Sequence, residues 1–493
     1  MSQLNRRQFV KQSLFAAGAT FAIGGTKSSG NILGANETIR VAVAGLNGRG
    51  SSHTGSYTKL KGVEIAYLID PDTKTYDKHL KVIATSGAPA PKTIKDVREA
   101  LDDKNVDVLS VATPNHWHSL MTIWGCQAGK DVYVEKPCSH NVHEGRIAVD
   151  AARKYNRIVQ HGTQSRSSSS WANIAEIVKS GKYGKLLVSR GLCYKDGGTG
   201  GSTRGDIGFK ETKAPPANLD FNLWLGPAQE QPYHENIVHY RWHWFWDFGN
   251  GDMGNQGVHQ MDIARWMIPG ATLPKSVISV GGRLGFKDQG QTACTQLCIF
   301  DFGETQLVFE TRGQPSKEYM GEKVGNTLHF TEGTIAGGKF IPTGKTTGEA
   351  LPKMGGERGP VAESAGGGEG HFANFIAAVR SRKQSDLNAD ILEGHYSSAL
   401  CHLGNISYRL GQPAPFNPRT NAFGDNKVAY EALARMEEHL ANDVKLNLSE
   451  TKYIVGPQLA FDAKSESFPT NSAATQLLTR DYRKPFAVPE KLA

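Results

Sequence analysis

Two short stretches of this 493-residue sequence hold residue types that proton transfer needs. "TPNHWH" supplies Pro114, Asn115, His116 and His118, and "VEKP" supplies Glu135, Lys136 and Pro137. A lysine in a partly desolvated cleft can donate to a substrate hydroxyl or shuttle its proton, because burial lowers its pKa. A third stretch, "GNQGVHQMD", carries His259, whose ordinary pKa of ~6.5 lets an imidazole accept a proton near neutrality. Asn255 precedes His259 by four residues, so on a helix the two share one face, and Asp262 stays near it one turn on. The plainer reading of His259 is a core histidine bonded to backbone.

Such groups need a scaffold that gathers strand ends, and the first third of the chain has its pattern. "TIRVAVAGLNGRGSSH" reads as a buried strand and a glycine-rich turn that opens a helix; "GVEIAYLIDPD" reads as a second strand ending at Asp70. "VDVLSVATPNHWH" and "KDVYVEKP" read as apolar strands ending in polar, loop-forming residues, and "RIVQHGTQ" as the last strand. Helical stretches such as "SLMTIWGCQAGK" and "VHEGRIAVDAARKYN" lie between. This alternation predicts an α/β domain with a doubly wound parallel sheet, closing near residue 165. Both chemical stretches then sit at the edge where open α/β sheets bind ligands.

The turn "GLNGRG" places Gly45, Gly48 and Gly50 as G-x-x-G-x-G, with Arg49 among them. Asn47 takes the middle glycine of the usual G-x-G-x-x-G fingerprint, and Asn tolerates left-handed geometry better than most residues. The physical need is close approach of backbone N–H groups to a pyrophosphate at a helix N-terminus. Asp70 follows Gly45 by 25 residues, where an acid bonds ribose hydroxyls. A carboxylate there repels a 2′-phosphate, so NAD is expected over NADP.

Beyond residue 165 the texture changes. A helix over 171–181 leads into "KLLVSRGLCY", a Gly-rich loop at 197–208 and the aromatic run "HYRWHWFWDFGNG". "KSVISVGGRL", "TQLCIFDF" and "TQLVFETRG" alternate like antiparallel strands. Indole rings of the run can stack on sugar faces, with Arg241 and Trp242 as substrate contacts, or the cluster can simply be core. "QHGTQSR" brings His161, Gln164 and Arg166 towards the same cleft. A glycine-rich passage spans about 344–370, two helices follow, and a tail with one helix begins after about 412. The division is a leader at 1–35, a nucleotide-binding domain at 36–165, a substrate domain at 166–412 and an extension at 413–493 that packs on the body.

"GLNGRG", Asp70, "TPNHWH" and "EKP" together resemble the glucose–fructose oxidoreductase / inositol dehydrogenase family, Gfo/Idh/MocA, over nearly all of residues 37–412. The resemblance implies that the first-domain motifs bind NAD(P), with Pro114, Asn115, His118 and Glu135 among the contacts. It implies that Lys136 binds a sugar hydroxyl and helps deprotonate it. It further implies a second α+β domain with an open, mainly antiparallel sheet over the nicotinamide, and a homo-oligomer formed through that exposed sheet. The family's D-x-x-x-H pair maps onto Asn255 and His259, so an amide stands where many members have Asp. An amide can bond the ring or the substrate but cannot stabilise imidazolium as a carboxylate does. The function expected is an NAD-dependent oxidoreductase acting on a sugar, glycoside or polyol hydroxyl. The alternatives are an NAD-dependent glycosidase or lyase using redox-neutral oxidation and elimination, and a non-catalytic sugar-binding protein, towards which Asn255 leans.

"NRRQFVK" and the apolar run after it resemble a twin-arginine export signal, with small residues up to Ala35 as the cleavage point. The run is too short to span a bilayer, so no integral span is expected in the mature chain. That route carries folded proteins, often with a cofactor inside; where free NAD is scarce, a periplasmic enzyme would need a trapped, internally recycled cofactor. The four basic residues of 1–35 take the formal +8 to +4, without a basic block that would suggest nucleic acid. Six cysteines show no paired CxxC pattern, so no metal is expected; they leave room for a disulfide that spacing does not choose.

Overall fold

The computed structural model describes residues 38–195, 206–354 and 370–492; the leader, most of the expected 197–208 loop and much of the 344–370 passage lie outside them. Six strands form the first sheet: β1 (Ile39–Ala44), β2 (Val63–Ile69), β3 (Lys92–Ile94), β4 (Val108–Val111), β5 (Asp131–Val134) and β6 (Val159–His161). All pair in parallel, in the order β3-β2-β1-β4-β5-β6. The order reverses between β1 and β4, so a crevice opens at their C-terminal ends. Most of their Val, Ile, Leu and Ala side chains are buried because helices cover both faces. One boundary differs from the sequence reading. The helix Asn115–Gln127 begins at Asn115, with Pro114 at φ −59° as its cap, so "PNHWH" forms a first helical turn rather than a loop. Proline suits a helix start, where its missing N–H would have had no intrahelical partner.

The second sheet contains β7 (Leu186–Tyr194), β8 (Ser276–Gly282), β9 (Thr295–Asp301), β10 (Gln306–Arg312) and β11 (Val324–Phe330), followed by β12 (Gly333–Ala336), β13 (Lys339–Pro342) and β14 (Glu349–Ala350). The tail adds β15 (Gln412–Pro415), β16 (Lys452–Val455) and β17 (Leu459–Ala460) beyond β8. Only β7 and β10 pair in parallel among these strands; the other pairs are antiparallel. Helices Ser169–Lys179, Gly257–Trp266 and Ile391–Arg409 share the core on one face. On the other, helix Lys427–Asn442 lays Ala429, Leu433, Met436 and Leu440 on Val280, Leu297, Ile299 and Val308. That spacing is one stripe of a helix, and each Leu or Met so buried contributes about 1.5–3 kcal/mol. Here the sheet face that the resemblance offered for subunit pairing is covered by the chain's own tail.

The tail then crosses back to the first domain. Phe486 and Val488 join that domain's core, with the Phe486 ring 5.4 Å from Trp117. All six cysteines are buried, and none is joined in a disulfide. Among the described residues no helix is long and apolar enough to cross a membrane.

Candidate functional site

The cleft opens where β1 and β4 part. Gly45 ends β1 at φ +86°, a left-handed conformation, and a Cβ there would lie 2.5 Å from the backbone of Ala112. A Cβ on Gly50 would lie 2.0 Å from the Gly45 oxygen, so this glycine lets the helix Gly50–Tyr57 start close against the strand. Gly48 is different: a Cβ there would meet nothing within 4 Å, because it faces the cleft. Backbone bare of side chain beside a helix start is what a pyrophosphate needs. Asp70 accepts from the Leu46 N–H at 2.7 Å and the Asp72 N–H at 2.8 Å, which fixes the carboxylate at the cleft wall with lone pairs left for a diol. Burial pushes its carboxyl up, and the two backbone bonds oppose that. Asn47 also lines the cleft, and its carbonyl accepts from Lys78. These residues fit a dinucleotide.

At the other end, Glu135 ties the turn to β5. It accepts from Arg49 Nε at 2.7 Å, His53 Nε2 at 3.2 Å and Gln164 Nε2 at 3.4 Å. Burial works to raise its pKa, but the His53 bond and the Arg49 charge outweigh this and hold the carboxyl well below the usual range. Lys136 extends into the cleft, where its ammonium donates to the Asn255 carbonyl at 2.5 Å. The Asn255 amide in turn reaches the Tyr240 hydroxyl at 3.4 Å. Asn255 ends the helix Gly251–Asn255 and His259 lies in the next, Gly257–Trp266, so a break at Gln256 separates residues expected on one helix. Both nevertheless line the cleft. The His259 ring makes no hydrogen bond among the described residues, and burial first, then the Lys136 charge, pushes its pKa down to about 3. It is a neutral acceptor at neutral pH rather than a base poised near 6.5.

Pro114, Asn115, His118 and Trp242 also line the cleft. The His118 ring is held between the carbonyls of Thr113 (2.7 Å) and Pro137 (2.5 Å). Four expected substrate contacts are elsewhere. Arg166 and Asp262 form a buried ion pair at 2.9 Å, with Ser397 donating to Asp262 at 2.6 Å. Two unlike charges under the second domain's helices satisfy each other, and neither reaches the cleft. His161 is buried behind the wall, and Arg241 bonds Asn236 Oδ1 at 2.9 Å. Half of the run's aromatic side chains are core: Trp244, Phe245 and Phe248 cluster with Trp224.

Sequence reasoning missed the roof. Segment 216–224 of the second domain runs over the turn after β2: Asp220 N–H donates to the Pro71 carbonyl at 2.9 Å, Thr73 N–H to the Asn218 carbonyl at 3.0 Å, and Asn218 Nδ2 to Asp72 at 2.6 Å. His239 bonds Asp72 at 2.8 Å and lines the cleft with Leu223, Trp224 and Tyr240. The tail clasps this roof. The Arg483 guanidinium donates to the carbonyls of Gly226 (3.0 Å), Ala228 (3.2 Å) and Asn222 (2.7 Å), and to Asn222 Oδ1 (2.6 Å). Polar residues of "HYRWHW" at the chain's aromatic run were the one local signal for Tyr240 and His239.

Comparison with known proteins adds to this geometry. Residues 39–163 match the GFO_IDH_MocA model, an oxidoreductase family with an NAD-binding Rossmann fold, and residues 202–288 match the C-terminal alpha/beta domain model named for it. A glycosyl hydrolase family 109 protein of Shewanella pealeana is 28% identical over 204 residues, 38% of this chain and 45% of that protein. An alpha-N-acetylgalactosaminidase of Shewanella oneidensis is 28% identical over 155 residues, 31% of this chain and 34% of that protein. The chain thus spans less than half the length of these curated relatives. Among solved structures, the WlbA dehydrogenase of Bordetella pertussis with NADH and UDP-GlcNAcA has a TM-score of 0.53 at 16% identity, covering 75% of this chain and 97% of that one. A levoglucosan dehydrogenase with NADH and levoglucosan gives 0.52 at 15%, covering 75% and 98%. At those identities the likeness is one of fold.

Proposed function

We propose that this chain, which carries the NAD-binding and C-terminal domains of the Gfo/Idh/MocA oxidoreductase family, is an NAD-dependent oxidoreductase acting on a hydroxyl of a sugar, glycoside or polyol. The observation that carries the reading is the meeting of Lys136 and His259 in one cleft with the glycine turn and Asp70. Bound there, NAD supplies the hydride acceptor and donor. The chain's own groups manage the substrate's proton. The Lys136 ammonium can leave the Asn255 carbonyl for the substrate oxygen and offset negative charge as the proton departs. His259, neutral and uncommitted to protein partners among the described residues, accepts the hydroxyl hydrogen and orients that carbon. Its depressed pKa means that the imidazolium gives this proton up to water at the mouth of the cleft rather than keeping it. Asn255 positions Lys136 through its main chain, a task that the Asp-to-Asn replacement leaves intact.

The roof and the Arg483 clasp support a cofactor that is held tightly and recycled in place. Export by the twin-arginine route, with a periplasmic working life, is part of the same proposal; it rests on residues 5–11 and the run after them. Homo-oligomer formation would need a surface other than the sheet face under helix Lys427–Asn442. A second reading, favoured by the relatives named glycosyl hydrolase family 109, is a redox-neutral glycosidase or lyase on the same residues. Denaturing the purified protein and weighing what is released tests the proposal. Stoichiometric NAD, with turnover lost in Lys136→Met but NAD retained, is expected. A protein that neither carries nor takes up NAD would sink it and leave a sugar-binding role. Aglycone release from aryl glycosides with no net NADH would select the second reading.

A further inference from the structure

A second cavity, of about 530 Å³, lies outside the cleft between residues 246–250, the end of helix Ile391–Arg409 and the tail at 476–481. Its size is that of a small-molecule site. His140 and His402 line it and are 8% and 4% exposed. His402 bonds Ser139 Oγ through Nε2 at 3.0 Å, and its Nδ1 has no hydrogen-bond partner. Nε2 of His140 has none either, and its Nδ1 lies 3.3 Å from Arg480. Arg480 spends Nη1 on the Asp247 carbonyl at 2.7 Å, and its Nη2 is buried without a partner. Buried polar groups left unpaired cost roughly 1–3 kcal/mol each, so several around one cavity point to an occupant.

The lining tells its chemistry. Arg409 and Arg480 are offset by Asp247 and Asp481 in the lining and by Glu144, 3.8 Å from Arg480, which leaves no excess positive charge to hold an anion. Burial keeps both histidines neutral, so each ring offers one donor and one acceptor. The amides of Asn405 and Asn141 are spent on protein partners and hold the wall in place, and Trp246, with the Arg409 guanidinium 5.1 Å over its ring, gives an aromatic face. Mixed donors and acceptors, balanced charge and an indole suit a neutral polyhydroxyl molecule. From this juxtaposition we propose that the cavity is a second binding site for a neutral saccharide, built jointly by the second domain and the tail. Asn250 links it to the cleft: its Oδ1 accepts from Asn115 at 3.2 Å and its main-chain oxygen from Asn405 at 3.0 Å. The proposal does not depend on the redox chemistry.

The probes are N-acetylglucosamine and methyl galactoside, followed by saturation-transfer NMR on the full holoprotein. Binding should persist in Lys136→Met and weaken roughly tenfold or more, 1.4 kcal/mol, in Trp246→Ala and Arg409→Gln. Both substitutions lie at the cavity's partly exposed rim, so the fold should survive, which circular dichroism checks. Three results would overturn the proposal. Sugar binding could vanish with Lys136→Met alone, or sulfate could bind in place of either sugar. A high-resolution crystal soaked with both sugars could also show the cavity filled by ordered water only.

Discussion

Arg483→Ala tests whether the tail keeps the cofactor cleft shut. The guanidinium makes four hydrogen bonds to the roof and its side chain is only 10% exposed. Bonds from a charged donor are worth about 1.5–3 kcal/mol each, but four from one group are not additive, and water would take some of their places. A loss of about 2 kcal/mol for roof closure is a sober figure, and it raises the open fraction about 30-fold. Asn222, Gly226 and Ala228 flank Leu223 and Trp224, which line the cleft, so release of NAD limited by roof opening should speed up by the same factor. The assay loads the protein with isotopically labelled NAD, chases with unlabelled NAD and weighs the bound pool over time. Arg483→Lys should fall between, because an ammonium cannot reproduce the planar fork that reaches several carbonyls at once. Exchange within twofold of wild type in Arg483→Ala would refute the reasoning, showing that the roof opens by another hinge or that NAD leaves without its opening.

Two further outcomes follow from the same geometry. Gly48→Val adds a side chain where nothing stands within 4 Å, so the thermal midpoint without NAD should hold while NAD uptake is lost; retained uptake would place the pyrophosphate elsewhere. Stability should fall on acidification. His116, His259 and His402 are pushed down to about 3 and His161 to about 4, chiefly by burial, so the unfolded chain, with histidines near ~6.5, takes up protons that the fold refuses. That loss runs from about pH 6.5 downward, and His259, half-open to the cleft, contributes least. Below about pH 4.5 Glu466 adds to it. Burial alone would raise its pKa, but bonds from His395 and Arg146 hold it at about 2. A thermal midpoint equal at pH 8 and pH 5 would contradict this.

What the sequence determined by itself was local. A glycine-rich turn after β1, an acid ending β2, the polar "PNHWH" after β4 and the "EKP" after β5 are short strings at strand ends, and the parallel sheet follows from apolar strands alternating with helices. Once those strands pair, the strings must converge, so most of the cofactor cleft and Lys136 were legible. A shared helix face decided less. Asp262 sits three residues past His259, close enough in angle to be expected beside it, yet it points to Arg166 and Ser397, because a buried carboxylate goes where a counter-charge waits. The pKa of His259 was likewise set by its surroundings. Only the tertiary structure decided the roof, the clasp and the second cavity. The bond between Arg483 and Asn222 joins positions 261 residues apart, and helix Lys427–Asn442 could have dressed any apolar face. Local pattern encodes which residues want burial or a turn; it carries no record of which distant carbonyl or strand will satisfy them, since that depends on the packed chain as a whole.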